Sequence, residues 1–154
     1  MKYSNDQPSM ESGFTLVELL IATLVLLLAF VGVLVSYLKC MELSELSRNS
    51  SIAVEAVKNQ MESINNTAFD QIFVTYNNVP FAVNGLNGMG VTYVDNSDPD
   101  FFEIRVTVCW RQKNGRIIGE DSNLNGQLNV GEDQNGNNML DSIVQISTTK
   151  FNET

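Results

Sequence analysis

The chain has 154 residues, 18 acidic, nine basic and no histidine, for a formal net charge of −9. That balance excludes the basic face needed to neutralise phosphates, so no direct nucleic-acid binding is expected. Without histidine there is no Ser-His or Cys-His pair and no imidazole metal site, and the chain reads as a non-enzyme.

Residues 1–13, "MKYSNDQPSMESG", are short and polar. Residues 14–38, "FTLVELLIATLVLLLAFVGVLVSYL", carry one charge, Glu18, over about 25 residues, enough to span a bilayer as a helix. The run is too long for the apolar part of a cleavable secretory signal, and no A-x-A-like site follows it. Lys39 beside Cys40, after so long an apolar run, argues against a lipoprotein. No Pro or Gly interrupts residues 39–65. There Leu43, Leu46, Ala53, Val57, Met61 and Ile64 recur at helical steps and form one apolar stripe. The opposite face carries Glu42, Glu45, Arg48, Glu55, Lys58, Asn59 and Glu62. A single helix over 14–65 would be roughly 75–80 Å long, greasy all round in its first half and amphipathic in its second.

Past residue 65, Asn77-Asn78, Pro80, Gly85, Gly88, Gly90 and Pro99 punctuate short segments. "VPFAV" and "VTYVD" are weak strand candidates. "FFEIRVTVCW" is a strong one, because Phe102, Ile104, Val106, Val108 and Trp110 alternate with polar residues. Asn114-Gly115 is a hairpin signal, "RIIG" starts a return strand, and "SIVQISTTKF" resumes it after an Asn/Asp/Gly-rich interruption. The amphipathic half-helix then has a small antiparallel sheet to lie on. Cys40 and Cys109 are too far apart in sequence for a disulfide to be read from them, and two buried or idle thiols are the plain reading.

The interruption is acidic: Glu120, Asp121, Glu132, Asp133 and Asp141 occur with no Lys or Arg among residues 120–141. "DSNLNGQLNVGE" fits the calcium-loop pattern D-x-[DN]-x-[DN]-G-x5-E. Asp121, Asn123 and Asn125 would supply side-chain oxygens, Gly126 the turn, Gln127 a carbonyl and Glu132 a bidentate carboxylate. Twelve residues on the phase repeats, with Asp133, Asn135, Asn137, Met139 and Asp141 at the positions of Asp121, Asn123, Asn125, Gln127 and Asn129. Leu140 aligns with Leu128, and Asn138 replaces Gly126 at the turn, where Asn tolerates a left-handed conformation. The closing acid is missing from the second loop, whose twelfth position is Val144. No helical pattern flanks the first loop, so this is a bare calcium loop for one or two Ca²⁺ rather than an EF-hand. The plain alternative is an Asn/Gly turn cluster that binds no metal.

Glu18 has two readings. A carboxylate near one end of a span can snorkel or protonate, below the ~2.5–3.5 kcal/mol insertion cost at a helix centre. Alternatively, a cut after Gly13 would leave Phe14 as a new N-terminus with a positive amine. Glu18 of one helix could then neutralise the amine of a neighbour, a gain of roughly 4 kcal/mol at 4 Å and an effective dielectric of about 20. "GFTLVELLIA", with Gly13, Phe14 and Glu18, resembles the processing and methylation signature of type IV pilins and type II secretion pseudopilins. The resemblance covers residues 12 to about 65, and the rest in outline. It implies that a prepilin peptidase cuts after Gly13 and methylates Phe14, and that Glu18 serves filament assembly. The leader departs from the usual basic pattern by carrying Asp6 and Glu11 beside Lys2. "AFVGVLV" has Gly32 where major pilins often have proline, which looks like the minor-pilin branch.

The expectation is therefore an α+β protein. It comprises a leader (1–13), a transmembrane half-helix (14–38), an amphipathic half-helix (39–65) and a β-sheet head (66–154) with a calcium-loop insert (120–141). The resemblance implies a minor pilin or pseudopilin that primes, caps or modifies a type IV pilus or secretion pseudopilus. It would be single-pass in the bacterial inner membrane, with the head in the periplasm or on the extracellular filament. Its partners would be other pilin or pseudopilin subunits and the peptidase. A competence-type minor pilin is the alternative within the family. Outside it, the alternative is a membrane-anchored calcium-binding module that never polymerises.

Overall fold

The computed structural model describes residues 14–152; the expected leader, including Gly13, lies outside the described residues. The fold is α+β. Its elements are α1 (Leu16–Asn65), α2 (Phe69–Tyr76), β1 (Val79–Ala82), β2 (Gly88–Asp95), β3 (Phe101–Arg111), β4 (Ile117–Ile118) and β5 (Gln145–Phe151). Two compact units part between Glu42 and Leu43.

In the first unit, the apolar side chains from Phe14 to Met41 are exposed. The helix is long and apolar enough to cross a membrane. Its hydroxyls turn onto its own backbone: Thr23 Oγ1 donates to Leu20 O and Ser36 Oγ to Gly32 O, both at 2.9 Å. Hydrocarbon offers no other acceptor, so these bonds make the polar residues tolerable in a span.

In the second unit, Asn49, Ala53, Val57, Met61 and Ile64 form the buried stripe of α1. Leu46 is partly buried, but Leu43, read as part of the stripe, is exposed. The stripe packs on Phe102, Ile104, Val106, Val108 and Trp110 of β3 and Val94 of β2. Helix α2 was not foreseen; Phe69, Ile72, Phe73 and Tyr76 give it an apolar face against the same core. Phe69 stacks on Phe102 with ring centroids 4.1 Å apart. No basic residue of α1's last turn meets its carbonyls. Lys150 does so from β5, its Nζ donating to Ile64 O, Asn65 O and Thr67 O at 3.4, 2.8 and 3.0 Å.

The sheet is antiparallel in the order β1-β2-β3-β4, with β5 also paired to β3. Residues 110–111 of β3 pair with β4 and residues 101–107 with β5, so the return strand is split along one edge of β3. The intervening segment folds back over the face opposite α1. There Leu140 packs on Val91 and Tyr93, flanked by Leu128 and Met139. Leu140 N donates to Tyr93 Oη at 2.9 Å, which ties the segment to β2. This cover buries Thr107 and Cys109, which alternation alone would leave facing water. Gly119, at φ +103°, lies so close that an added Cβ would collide with Cys109 Sγ. Cys109 is a free buried thiol and Cys40 a free exposed one.

Candidate functional site

At the chain's apolar end, Phe14 precedes α1 and is exposed. Glu18 N donates to Thr15 Oγ1 at 3.3 Å, while Thr15 N and Oγ1 lie 3.5 and 3.4 Å from Glu18 Oε2. This is a capping box, T-x-x-E, in which each side chain satisfies the other's backbone N–H. Thr15, three positions before Glu18, is the local sequence signal of this cap. Acceptance from Thr15 needs only an oxygen, not a charge, so capping alone does not require a carboxylate here.

In the insert, Asp121 and Glu132 are 1% and 5% exposed, and neither has an ion-pair partner among the described residues. Asp121 Oδ1 accepts from Asn125 N and Oδ2 from Gly126 N, at 3.1 and 2.7 Å. Asn123 Oδ1 accepts from Asn125 N, and Asn125 Oδ1 from Gln127 N. Glu132 closes the loop: Oε1 accepts from Ser122 N and Oγ, Oε2 from Asn129 N and Nδ2, all within 2.7–3.1 Å. Burial opposes ionisation of Glu132, but the bonds from Ser122 and Asn129 together outweigh it and hold its pKa at about 2.

The second loop repeats the pattern at the same offsets. Asp133 accepts from Gly136 N, Asn137 N and Asn138 N, Asn135 Oδ1 from Asn137 N, and Asn137 Oδ1 from Met139 N. Asp133 is held below the usual carboxylate range, chiefly by the Asn138 N–H. Gly126 and Asn138 occupy the same phase and both are left-handed, at φ +70° and +61°. Leu128 and Leu140 anchor the two loops on one apolar cluster. Val144 is buried in the α1-side core, so no acid closes the second loop. Asp141 instead accepts from Asn135 Nδ2 and Asn137 Nδ2, and its Oδ1 lies 3.6 Å from Arg105 Nη1.

Among the described residues no three His, Cys, Asp or Glu side chains converge. The first loop's candidate ligands are instead oxygens of two carboxylates, two side-chain amides and the Gln127 carbonyl, a set that suits a hard cation. A carboxylate has about four lone-pair sites, so the two N–H bonds on Asp121 leave capacity for an ion, whereas the four bonds on Glu132 fill its sites and some must yield before it can ligate one.

Residues 8–34 match the model of the prokaryotic N-terminal methylation motif. The chain carries the N-terminal hallmark of type IV pilins and pseudopilins. The motif runs from Pro8 into the first part of α1 and includes Gly13, Phe14 and Glu18. No curated protein and no solved structure matches the chain. With the methylation motif goes, in general, assembly with other pilin subunits and processing by a prepilin peptidase. The motif and the single apolar helix fit a membrane-anchored, single-pass protein.

Glu120, at the start of the insert, holds its two ends together. Its Oε1 accepts from Gln134 N and its Oε2 from Asp141 N, at 3.1 and 2.9 Å, so it staples the second loop to the end of β4. Only the folded chain brings residues 120, 134 and 141 together, and no local pattern marks that contact.

Proposed function

We propose that the chain is a structural subunit of a type IV pilus or type II secretion pseudopilus, in the minor-pilin role of priming, capping or modifying the filament. The peptidase cuts after Gly13 and methylates Phe14. The apolar half of α1 sits in the inner membrane, and the head faces the periplasm until α1 passes into the filament's helix bundle. The observation that carries this reading is the methylation motif set directly on a helix whose apolar surface, from Phe14 to Met41, is exposed in the isolated chain. Lipid or neighbouring helices are the environments that cover such a surface. Glu18 meets the Phe14 amine of an adjacent subunit there and sets the register.

In the same reading residues 121–132 hold a Ca²⁺ and residues 133–141 a second, weaker one. Asp121, Asn123, Asn125, Gln127 and Glu132 serve the first ion, and Asp133, Asn135, Asn137, Met139 and Asp141 the second. Buried Asp121, with no ion-pair partner among the described residues, supports the first site. The ion's task is to stiffen the insert on its sheet.

Mass spectrometry of the native chain, and recovery of Glu18→Gln from membranes and sheared filaments, test the filament reading. Expected are a mature chain beginning at methylated Phe14 and a Gln variant that is processed and inserted but missing from filaments. Glutamine keeps an oxygen for Thr15, so loss of the cap does not confuse the result. An assembled chain that still begins at Met1 overturns the reading. A mature wild-type chain that never enters filaments favours the non-polymerising calcium-binding anchor.

A further inference from the structure

The second unit has two electrically opposite ends. Lys113 N donates to Glu45 Oε1 at 2.8 Å, which puts the β3–β4 turn beside the start of this unit's stretch of α1. Lys150, opposite Phe102 in the sheet, reaches the carbonyls of residues 64, 65 and 67 at the other end of α1. Strand β3 thus runs antiparallel to α1, and the two ends are separated by about 20 residues of helix, about 30 Å. Arg48, Arg111, Lys113 and Arg116 gather at the first end, and none forms an ion pair among the described residues. At the second, the β2–β3 turn and its flanks carry Asp95, Asp98, Asp100 and Glu103, again without an ion pair among the described residues. Two nearby cations are engaged elsewhere, Lys150 on the carbonyls at the end of α1 and Arg105 on Asp141.

The basic end holds a cleft of about 270 Å³, lined among others by Glu45, Arg48, Asn49, Arg111, Gln112 and Lys113. Gln112 is 7% exposed, and its Nε2 is buried with no hydrogen-bond partner among the described residues. A buried amide donor left unpaired is costly, so it calls for an acceptor. Two guanidinium forks and an ammonium outnumber the cleft's own carboxylate, Glu45, so the cleft keeps a net positive charge and donors that match an entering carboxylate. Asp100 is exposed and its side chain accepts no bond among the described residues, whereas Asp95 and Asp98 hold their own turn.

We propose that this cleft receives the acidic β2–β3 turn of a second copy of the chain, with Asp100 as the entering carboxylate. The contact joins unlike surfaces, so it is heterologous and runs head to tail, as the few copies of a short priming stack would. It rests on the filament-subunit reading and adds the order and polarity of neighbouring heads.

The test is disulfide cross-linking of the full-length chain in its own membranes, in a Cys40→Ser, Cys109→Ala background carrying Ser97→Cys and Asn114→Cys, with all the charges kept. Expected is a ladder of oligomers with both cysteines present and none with either alone. Arg111→Glu should cut the yield about tenfold or more, because it sets like charges together, and adding Asp100→Arg should restore it. Dimers from a single-cysteine variant would show a symmetric contact and overturn the proposal, as would a yield indifferent to Arg111→Glu. Sheared filaments, assayed in parallel, separate the two readings. Wild-type chain in filaments without the ladder refutes the docking alone, a ladder without filaments refutes the filament reading alone, and absence of both refutes both.

Discussion

Replacing Glu132 by glutamine isolates the carboxylate's charge from its shape. The glutamate accepts four bonds from Ser122 and Asn129 and is 5% exposed, so its ionised form is stabilised in the folded chain. Its pKa falls from 4.5 to about 2. At ~1.36 kcal/mol per unit, that difference corresponds to about 3 kcal/mol of stability at neutral pH. The folded pKa is the depressed one, so the contribution is complete above the ordinary glutamate range and is lost as pH falls towards about 2. Glutamine mimics the protonated acid, so the variant should lack this contribution at every pH. The assay is urea unfolding of the full chain in detergent micelles with chelator present, at pH 7 and at steps down to pH 2. At pH 7 the variant should lose about 3 kcal/mol, a midpoint shift of roughly 1–3 M for slopes of about 1–3 kcal/mol per molar. The gap between wild type and variant should close as the pH falls. A gap under about 0.5 kcal/mol at pH 7, or one of constant size across the range, would refute the argument that these four bonds hold the loop through its charge.

Calcium should raise the melting temperature of the wild-type chain. At about ten times Kd each site adds roughly 1.4 kcal/mol, Asp121→Ala should abolish the main shift, and magnesium should substitute poorly; equal melting in calcium and chelator speaks against the sites. Tyr93→Phe removes the acceptor of the Leu140 amide and should cost about 1–3 kcal/mol, with faster hydrogen exchange at that amide as its local signature. Lys150→Met keeps the aliphatic stem but strips the cap from α1; a loss of about 1–2 kcal/mol is expected in the same unfolding assay, and an unchanged midpoint would show that water serves those carbonyls equally well.

Sequence by itself determined the features that depend on near neighbours along the chain. The apolar run and the break-free stretch after it specify α1, because a helix needs only local periodicity and no breaker. Alternation in "FFEIRVTVCW" specifies β3, and the twelve-residue repeat specifies two loops whose hydrogen bonds coincide position by position. Helix α2 was legible in Phe69, Ile72, Phe73 and Tyr76, but one short turn-rich segment hid it. Tertiary structure alone decided which face of the sheet the insert covers, and with it the burial of Thr107, Cys109 and Leu140. It also decided that Lys150 caps a helix ending 85 residues before it, that Glu120 staples the insert, and that four basic residues from α1 and the β3–β4 turn share one end. The physical reason is separation: periodicity reports which side of an element is apolar, whereas the partner on that side is set by chain closure and packing across tens of residues.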